Sequence, residues 1–141
     1  EDSYEVISSE KKDISGAAID QAELLVSGGR GIKSESDFRM LGELAALLGG
    51  QVAASRPTVD MGWLPHEQQI GQSGTAVKPD HIINVGISGS VQYEVGMQNS
   101  GCIISINHNP DAPIFAISNY GVVGDYRSIV PAIIAEIKKR K

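Results

Sequence analysis

Hydrophobic residues in this chain fall into short apolar runs, separated by segments in which they recur every three or four positions. Ala22-Glu23-Leu24-Leu25-Val26 runs into Ser27-Gly28-Gly29, the pattern of a buried strand stopped by glycines. Ser34 precedes Phe38, Leu41, Leu44, Ala45 and Leu48, and Gly49-Gly50 follows, which predicts an amphipathic helix with a polar start and a glycine stop. Gln51 to Ala54 predicts a second strand, and the segment around Pro57 and Pro65 a loop. His81 to Ile87 predicts a strand, and Ser90 to Met97 a short helix after the Ser88-Gly89 turn. Further strands are expected at Cys102 to Ile106 and Ile114 to Ile117. Asp125 suits a cap, and Pro131 the first turn of a helix carrying Ile133, Ile134 and Ile137, with basic residues at its carboxyl end.

Apolar strands alternating with helices imply an α/β fold, a doubly wound parallel sheet of Rossmann-like type covered on both faces. The polar stretch over 1–20, centred on Glu10-Lys11-Lys12-Asp13, reads as a linker and the end of an upstream element, which leaves 21–141 as the domain. The opening Glu1-Asp2-Ser3 has neither an initiator Met nor a signal-peptide pattern and is expected to lie inside a longer protein.

Composition narrows the choice. At 141 residues, with 41% hydrophobic and 21% charged, the chain can build one core and is neither disordered nor fibrous. Its longest apolar run, Ile129 to Ala135, contains a proline and falls far short of the ~20 residues that cross a bilayer, so no transmembrane segment is expected. Twelve Lys and Arg against seventeen Asp and Glu leave a net charge of −5, and the basic cluster is confined to Lys138 to Lys141. That balance argues against nucleic acid as a partner. Cys102 is the single cysteine and sits in an apolar stretch, the setting of a core thiol in a reducing compartment. His66, His81 and His108 are widely spaced, so no metal site is expected.

In doubly wound sheets ligands bind outside the carboxyl ends of the strands. The residues just after the apolar runs are Ser27-Gly28-Gly29-Arg30-Gly31, Ala54-Ser55-Arg56, Gly86-Ile87-Ser88-Gly89-Ser90, Ile106-Asn107-His108 and Tyr120-Gly121 to Asp125. Glycines alone merely end strands, but small residues, hydroxyls and two arginines together on one rim describe a seat for an anionic, phosphate-bearing ligand. Three sharper motifs fail. Gly29-Arg30-Gly31-Ile32-Lys33-Ser34 has serine for the third glycine of a dinucleotide fingerprint, and Ser55-Arg56 stands where an acidic residue grips a ribose. Gly86-Ile87-Ser88-Gly89-Ser90 ends in serine where a nucleophile elbow has glycine, and no Asp-then-His order follows, so a serine hydrolase at Ser88 ranks last. A Walker loop is absent.

Six blocks in order, from about Leu24 to the end, resemble the FAD-binding carboxyl-terminal domain of the electron-transfer flavoprotein alpha subunit. They are Ser27 to Gly31, Ala54 to Arg56, Gln69-Ile70-Gly71-Gln72-Ser73-Gly74, Val85 to Gln92, Ile106-Asn107 and Pro110 to Phe115. The resemblance implies FAD laid across the strand ends, with its ring meeting a beta subunit, a flavin dehydrogenase as electron donor and a downstream acceptor. Carried over by position, Arg30, Ser55 and Arg56 face the flavin or its phosphates, with Arg56 near the ring. Ile70, Gly71, Gln72 and Ser73 wrap the ring and ribityl chain. Ser88, Gly89, Ser90, Val91, Gln92 and Tyr93 follow the pyrophosphate into the ring, Asn107 and Asp125 belong at the adenosine end, and Tyr126 is a further cofactor-binding candidate. The residues agree: Ser88-Gly89-Ser90 opens a helix whose free N–H groups suit a diphosphate, and a carboxylate such as Asp125 accepts from ribose hydroxyls.

Plainer roles stand beside these: Asp125 as a helix cap, Arg56 as a solvated loop cation, Met61 and Trp63 as packing, His66 and Glu67 as surface. The family has threonine where this chain has Ser73 and histidine where it has Tyr93. Serine keeps the hydroxyl, whereas tyrosine can donate to the flavin O2 edge but cannot become a cation. The reading is an electron carrier with no bond-making chemistry of its own, cytoplasmic in a prokaryote and in the mitochondrial matrix in a eukaryote. The alternative is a nucleotide-binding module with no redox role that stabilises a protein interface.

Overall fold

The computed structural model of the protein describes residues 19–71 and 74–140. Among these, β1 (Leu24–Gly28), β2 (Gln51–Ala54), β3 (His81–Val85), β4 (Cys102–Asn107) and β5 (Tyr120–Val123) form one all-parallel sheet in the order β2-β1-β3-β4-β5. The helices are α1 (Glu35–Leu47), α2 (Arg56–Asp60), α3 (Val91–Met97) and α4 (Tyr126–Arg140), with 3₁₀ turns at His66–Gln68 and Pro113–Ile117.

Strand alternation builds two cores. Val26, Ile83, Val85 and Ile106 face one side and pack with Phe38, Leu41 and Leu44 of α1 and Val130 and Ile134 of α4. Leu25, Ile82 and Ile103 face the other and pack with Tyr93 and Met97 of α3 and with Ile114. Both faces are covered, as the doubly wound reading requires. Leu41 and Leu44 are fully buried, and truncating either to alanine removes about 2–5 kcal/mol. The predicted ends of α1 are in place. Ser34 Oγ accepts from Asp37 N at 3.2 Å, and the N–H groups of Gly49 and Gly50 return to the carbonyls of Ala46 and Ala45.

Several expectations are corrected. Ile114 to Ile117 is a 3₁₀ turn rather than a strand, because Pro113 opens it without an N–H to give a ladder. The fifth strand is Tyr120–Val123, exposed along its whole length and therefore lacking the apolar signature of its neighbours. The segment at Pro57 is not all loop. Proline at the start of a helix forgoes an N–H that would have had no partner, and α2 begins there. Pro131 lies inside α4 rather than in its first turn. β1 runs two residues later than expected, and β3 stops at Val85. Ile19, on the linker side of the expected boundary, is buried in the α3-side core, while the rest of the linker expectation, over 1–18, lies outside the described residues. Cys102 is half-buried at the start of β4 instead of in the core.

Candidate functional site

Chain order reverses between β1 and β3, so the loops leaving these adjacent strands part to opposite faces and open a crevice between them. Glycines let the two loops approach first. Gly31 N donates to the Gly86 carbonyl at 2.9 Å, and a Cβ on Gly31 would meet Gly86 Cα at 2.8 Å. Gly86 itself has φ +68°, a region that favours glycine.

A groove of about 710 Å³ opens above this crossing, within the usual range of small-molecule sites. Beside it lies a hollow of about 270 Å³, and the two share Ser55, Pro57 and Ser90. The larger one gathers Arg30, Ser88, Asn107, Asp125 and Tyr126. The smaller one gathers Arg56, Ile70, Gly71, Gln92 and Tyr93. Asn107 and Asp125, expected at the adenosine end, thus lie together in the larger hollow with Arg30 and Ser88, which were expected at the phosphates, while Arg56, Ile70 and Gly71, expected near the ring, lie in the smaller one. Gly89 and Val91 border neither hollow. Gln72 and Ser73 lie outside the described residues.

Ser55 sits at the junction. It is the N-cap of α2, yet its side chain makes no capping hydrogen bond, and the residue is only 8% exposed. A nearly buried hydroxyl without its usual acceptor role has a donor and lone pairs for a ligand. The exposed side chains of Arg30 and Lys33 supply positive charge to the larger hollow. Arg56 extends along α2 instead, its Nε 3.5 Å from Asp60 Oδ2 with the side chain 70% exposed, a loose pair that costs little to open.

Three expected ligand contacts are engaged within the protein. Asn107 Nδ2 donates to the Ile87 carbonyl at 3.0 Å, and its Oδ1 accepts from Asn109 N at 2.9 Å. The side chain thus fastens the loop after β4 to the loop after β3. Asp125 Oδ1 accepts from Arg127 N at 2.9 Å, which makes it the cap of α4. One carboxylate oxygen stays available on this exposed residue. Tyr126 is buried, with its hydroxyl between Lys33 N and Asp37 Oδ2.

Tyr93 needs a larger correction. Expected to donate to a flavin oxygen, its hydroxyl turns inward, 2.6 Å from Asn84 Oδ1 and 2.9 Å from Ser27 Oγ. A phenol has one proton, and Asn84 Oδ1 can only accept, so none remains for a ligand. Burial pushes this phenol well above the ordinary tyrosine value, with the Ser27 hydrogen bond acting the other way. The signal was present in Tyr93, Gly96 and Met97, spaced as the buried face of α3.

Lys33, Asn109 and Pro113 also line the larger hollow without having been candidates, and so does His108, which was read on the rim but given no ligand role. For His108 the position directly after β4 was the available signal. Trp63, read as packing, lies edge-on to Phe38 with centroids 6.0 Å apart, while Met61 is half exposed. No helix among the described residues is long and apolar enough to cross a membrane.

Known proteins match most of this chain in sequence. The family model of the electron transfer flavoprotein FAD-binding domain matches residues 18–98. The electron transfer flavoprotein subunit alpha of Thermoanaerobacterium thermosaccharolyticum is 51% identical over 87% of this chain and 37% of its own length. Protein FixB of Clostridium saccharobutylicum is 47% identical over 96% of this chain and 40% of its own. The mitochondrial electron transfer flavoprotein subunit alpha of Dictyostelium discoideum is 46% identical over 95% of this chain and 38% of its own. The chain therefore spans about two fifths of the length of the curated relatives it matches. Because the matched segment takes in β1 to β3 and the glycine crossing that floors the groove, the resemblance read from six short blocks holds: this chain belongs to the electron transfer flavoprotein FAD-binding domain family, whose cofactor is FAD.

Proposed function

We propose that this chain is the part of an electron transfer flavoprotein alpha subunit that holds FAD across the strand ends, pairs with a beta subunit, and relays electrons from a flavin dehydrogenase to a downstream acceptor. The observation that carries the reading is the continuity of the two hollows through Ser55, Pro57 and Ser90, which suits a ligand with two dissimilar ends joined by phosphates. The donor set fits as well. Ser55 offers an uncommitted hydroxyl, Arg30 and Lys33 offer positive charge, and Asp125 keeps an oxygen for sugar hydroxyls. Ile70, Gly71 and Gln92 border the smaller end, where Arg56 is free to leave Asp60 and reach a ring.

FAD supplies the redox chemistry when bound; the protein binds, orients and tunes it. Ser55, Ser88 and Ser90 donate to the cofactor, Arg30 and Lys33 offset its phosphate charge, and Asn107 keeps the two loops above it in register. No residue of the chain makes or breaks a substrate bond in this scheme. Bacterial and mitochondrial relatives both exist, so the compartment follows the source cell, cytoplasm or matrix.

The test is to purify the full-length protein, record its visible spectrum and identify the released small molecule by mass spectrometry. FAD with a flavin spectrum that bleaches on reduction supports the reading. A colourless protein releasing an adenine nucleotide overturns it in favour of a non-redox nucleotide module.

A further inference from the structure

Beneath the groove, polar side chains form a row across an otherwise apolar layer. Ser27 on β1, Asn84 on β3 and Ser105 on β4 are register partners on adjacent strands, and none has any solvent exposure. Such a row is destabilising unless every member is satisfied. Tyr93 and Ser118 complete it. Tyr93 donates its proton to Asn84 Oδ1 at 2.6 Å, so the phenol oxygen accepts from Ser27 Oγ, 2.9 Å away. Asn84 Nδ2 donates to Ser105 Oγ at 3.3 Å. Ser118 Oγ donates to the Ile114 carbonyl at 2.7 Å, which leaves the Ser105 hydroxyl to donate to Ser118 Oγ, also at 2.7 Å. All the bonds run one way, from Ser27 through Tyr93, Asn84, Ser105 and Ser118 to Ile114.

The run closes through the backbone. Ile114 N donates to the Ser88 carbonyl at 2.8 Å. Gly89, at φ +97°, lies so close that a Cβ there would meet Ile114 N at 2.6 Å. Ser90 Oγ accepts from Tyr93 N at 3.3 Å. The segment from Ser88 to Tyr93 is thus gripped at its start by Ile114 and at its end by the Tyr93 hydroxyl, and both grips belong to one closed ring.

We infer that Tyr93 and Asn84 are positioning residues for the cofactor: through the ring they fix the height and tilt of residues 88–92 over the strand ends, and the Tyr93 hydroxyl, committed to Asn84, donates nothing to the cofactor. The inference rests on the reading that FAD lies on this segment. Removing one partner leaves a buried group facing nothing, and the segment relieves this by shifting. Replacing both partners with apolar side chains removes the Tyr93–Asn84 mismatch and leaves Ser27 as the one hydroxyl of the row without its acceptor, as in Tyr93→Phe alone, so the two losses do not add.

The test uses the full-length protein with Tyr93→Phe, Asn84→Leu, the two combined, and Ser118→Ala, which borders neither hollow. Three quantities are read: FAD affinity from flavin fluorescence, melting of the FAD-free protein, and amide hydrogen exchange of residues 88–92 without FAD. Tyr93→Phe and Asn84→Leu are each expected to weaken FAD binding about three- to tenfold and to speed exchange over 88–92. The combined variant is expected to bind no more weakly than the poorer single one. Ser118→Ala should shift affinity and exchange in the same direction, and it serves if Asn84→Leu does not fold. Losses that multiply in the combined variant would mean that Tyr93 acts on the flavin directly, and would overturn the inference. So would variants that melt lower yet bind FAD like the parent with exchange over 88–92 unchanged. A parent protein that binds no FAD overturns the functional reading, whereas the exchange measurement still decides whether the ring holds the segment.

Discussion

The Tyr126 hydroxyl donates to Asp37 Oδ2 at 2.6 Å while accepting from Lys33 N at 2.9 Å, joining the first residue of α4 to α1 and to the loop after β1. Arg127 Nε donates to the same carboxylate oxygen at 2.7 Å. The Tyr126 hydrogen bond first, and then that of Arg127, hold the Asp37 carboxyl below its ordinary value of 3.8. Burial, followed by the Asp37 hydrogen bond, pushes the Tyr126 phenol above its ordinary value of 10.0. The Asp37 contribution is therefore present above its unfolded value and lost as pH falls through the lower folded one. The Tyr126 contribution is present below its unfolded value and lost as pH rises through the higher folded one. Tyr126→Phe should lower stability by about 1–2 kcal/mol near neutrality and flatten both limbs. Urea unfolding across pH checks this, and unchanged limbs would refute it.

Ser55→Ala should leave the FAD-free protein as stable as the parent, because the hydroxyl makes no capping bond to lose. FAD affinity should fall by about 0.5–1.5 kcal/mol, the net worth of one hydrogen bond. Melting of the free protein beside a FAD titration separates the two effects. A large loss of stability without FAD would show that the hydroxyl already has a structural partner.

Arg56→Ala should also leave the melting temperature unchanged, since its exposed pair with Asp60 at 3.5 Å contributes almost nothing. If the guanidinium reaches the flavin ring, it favours the more negative reduced form, so its loss lowers the reduction potential. Potentiometry on the FAD-loaded variant measures this. An unaltered potential with FAD fully bound would return Arg56 to the role of a solvated cation.

Gly89→Ala combines two penalties. The backbone sits at φ +97°, and the added Cβ would meet Ile114 N at 2.6 Å and Ile114 Cα at 2.8 Å. Backbone atoms do not swing aside as a flexible side chain does, so a cost above about 2 kcal/mol is expected. FAD binding should fall with it, because the substitution separates residues 88–92 from Ile114. Chemical denaturation and a FAD titration check both, and parent-like stability would mean that the loop re-forms without strain.

The fold was legible wherever local chemistry and burial agreed. Ser34, the Phe38-Leu41-Leu44 spacing and Gly49-Gly50 all specify one helix, and β2 was bounded correctly at Gln51 and Ala54. Ile114 to Ile117 misled because a short apolar run fits a strand and a 3₁₀ turn alike. The true β5 was hidden because its side chains are exposed. Of the site, the rim residues could be read from their place after each strand, whereas the direction of a side chain could not. Tyr93 looked like a ligand group beside the motif, and only its partners show it facing inward. Asn84, alone and polar between Ile83 and Val85, carried the hint that a buried partner was required.

The pairing of β1 with β3, which joins Leu24 to His81 and Gly28 to Val85, spans all of α1, β2 and α2 in the chain. During synthesis β1 can pair with β2 early, but its other edge stays bare until β3 emerges and a long loop closes. The floor of the groove therefore rests on a long-range closure whose conformational entropy must be overcome before the loops at Gly31 and Gly86 can meet. A ligand bound across those loops favours the closed sheet over the open chain by mass action, so the distant pairing of β1 with β3 is where binding and folding are coupled.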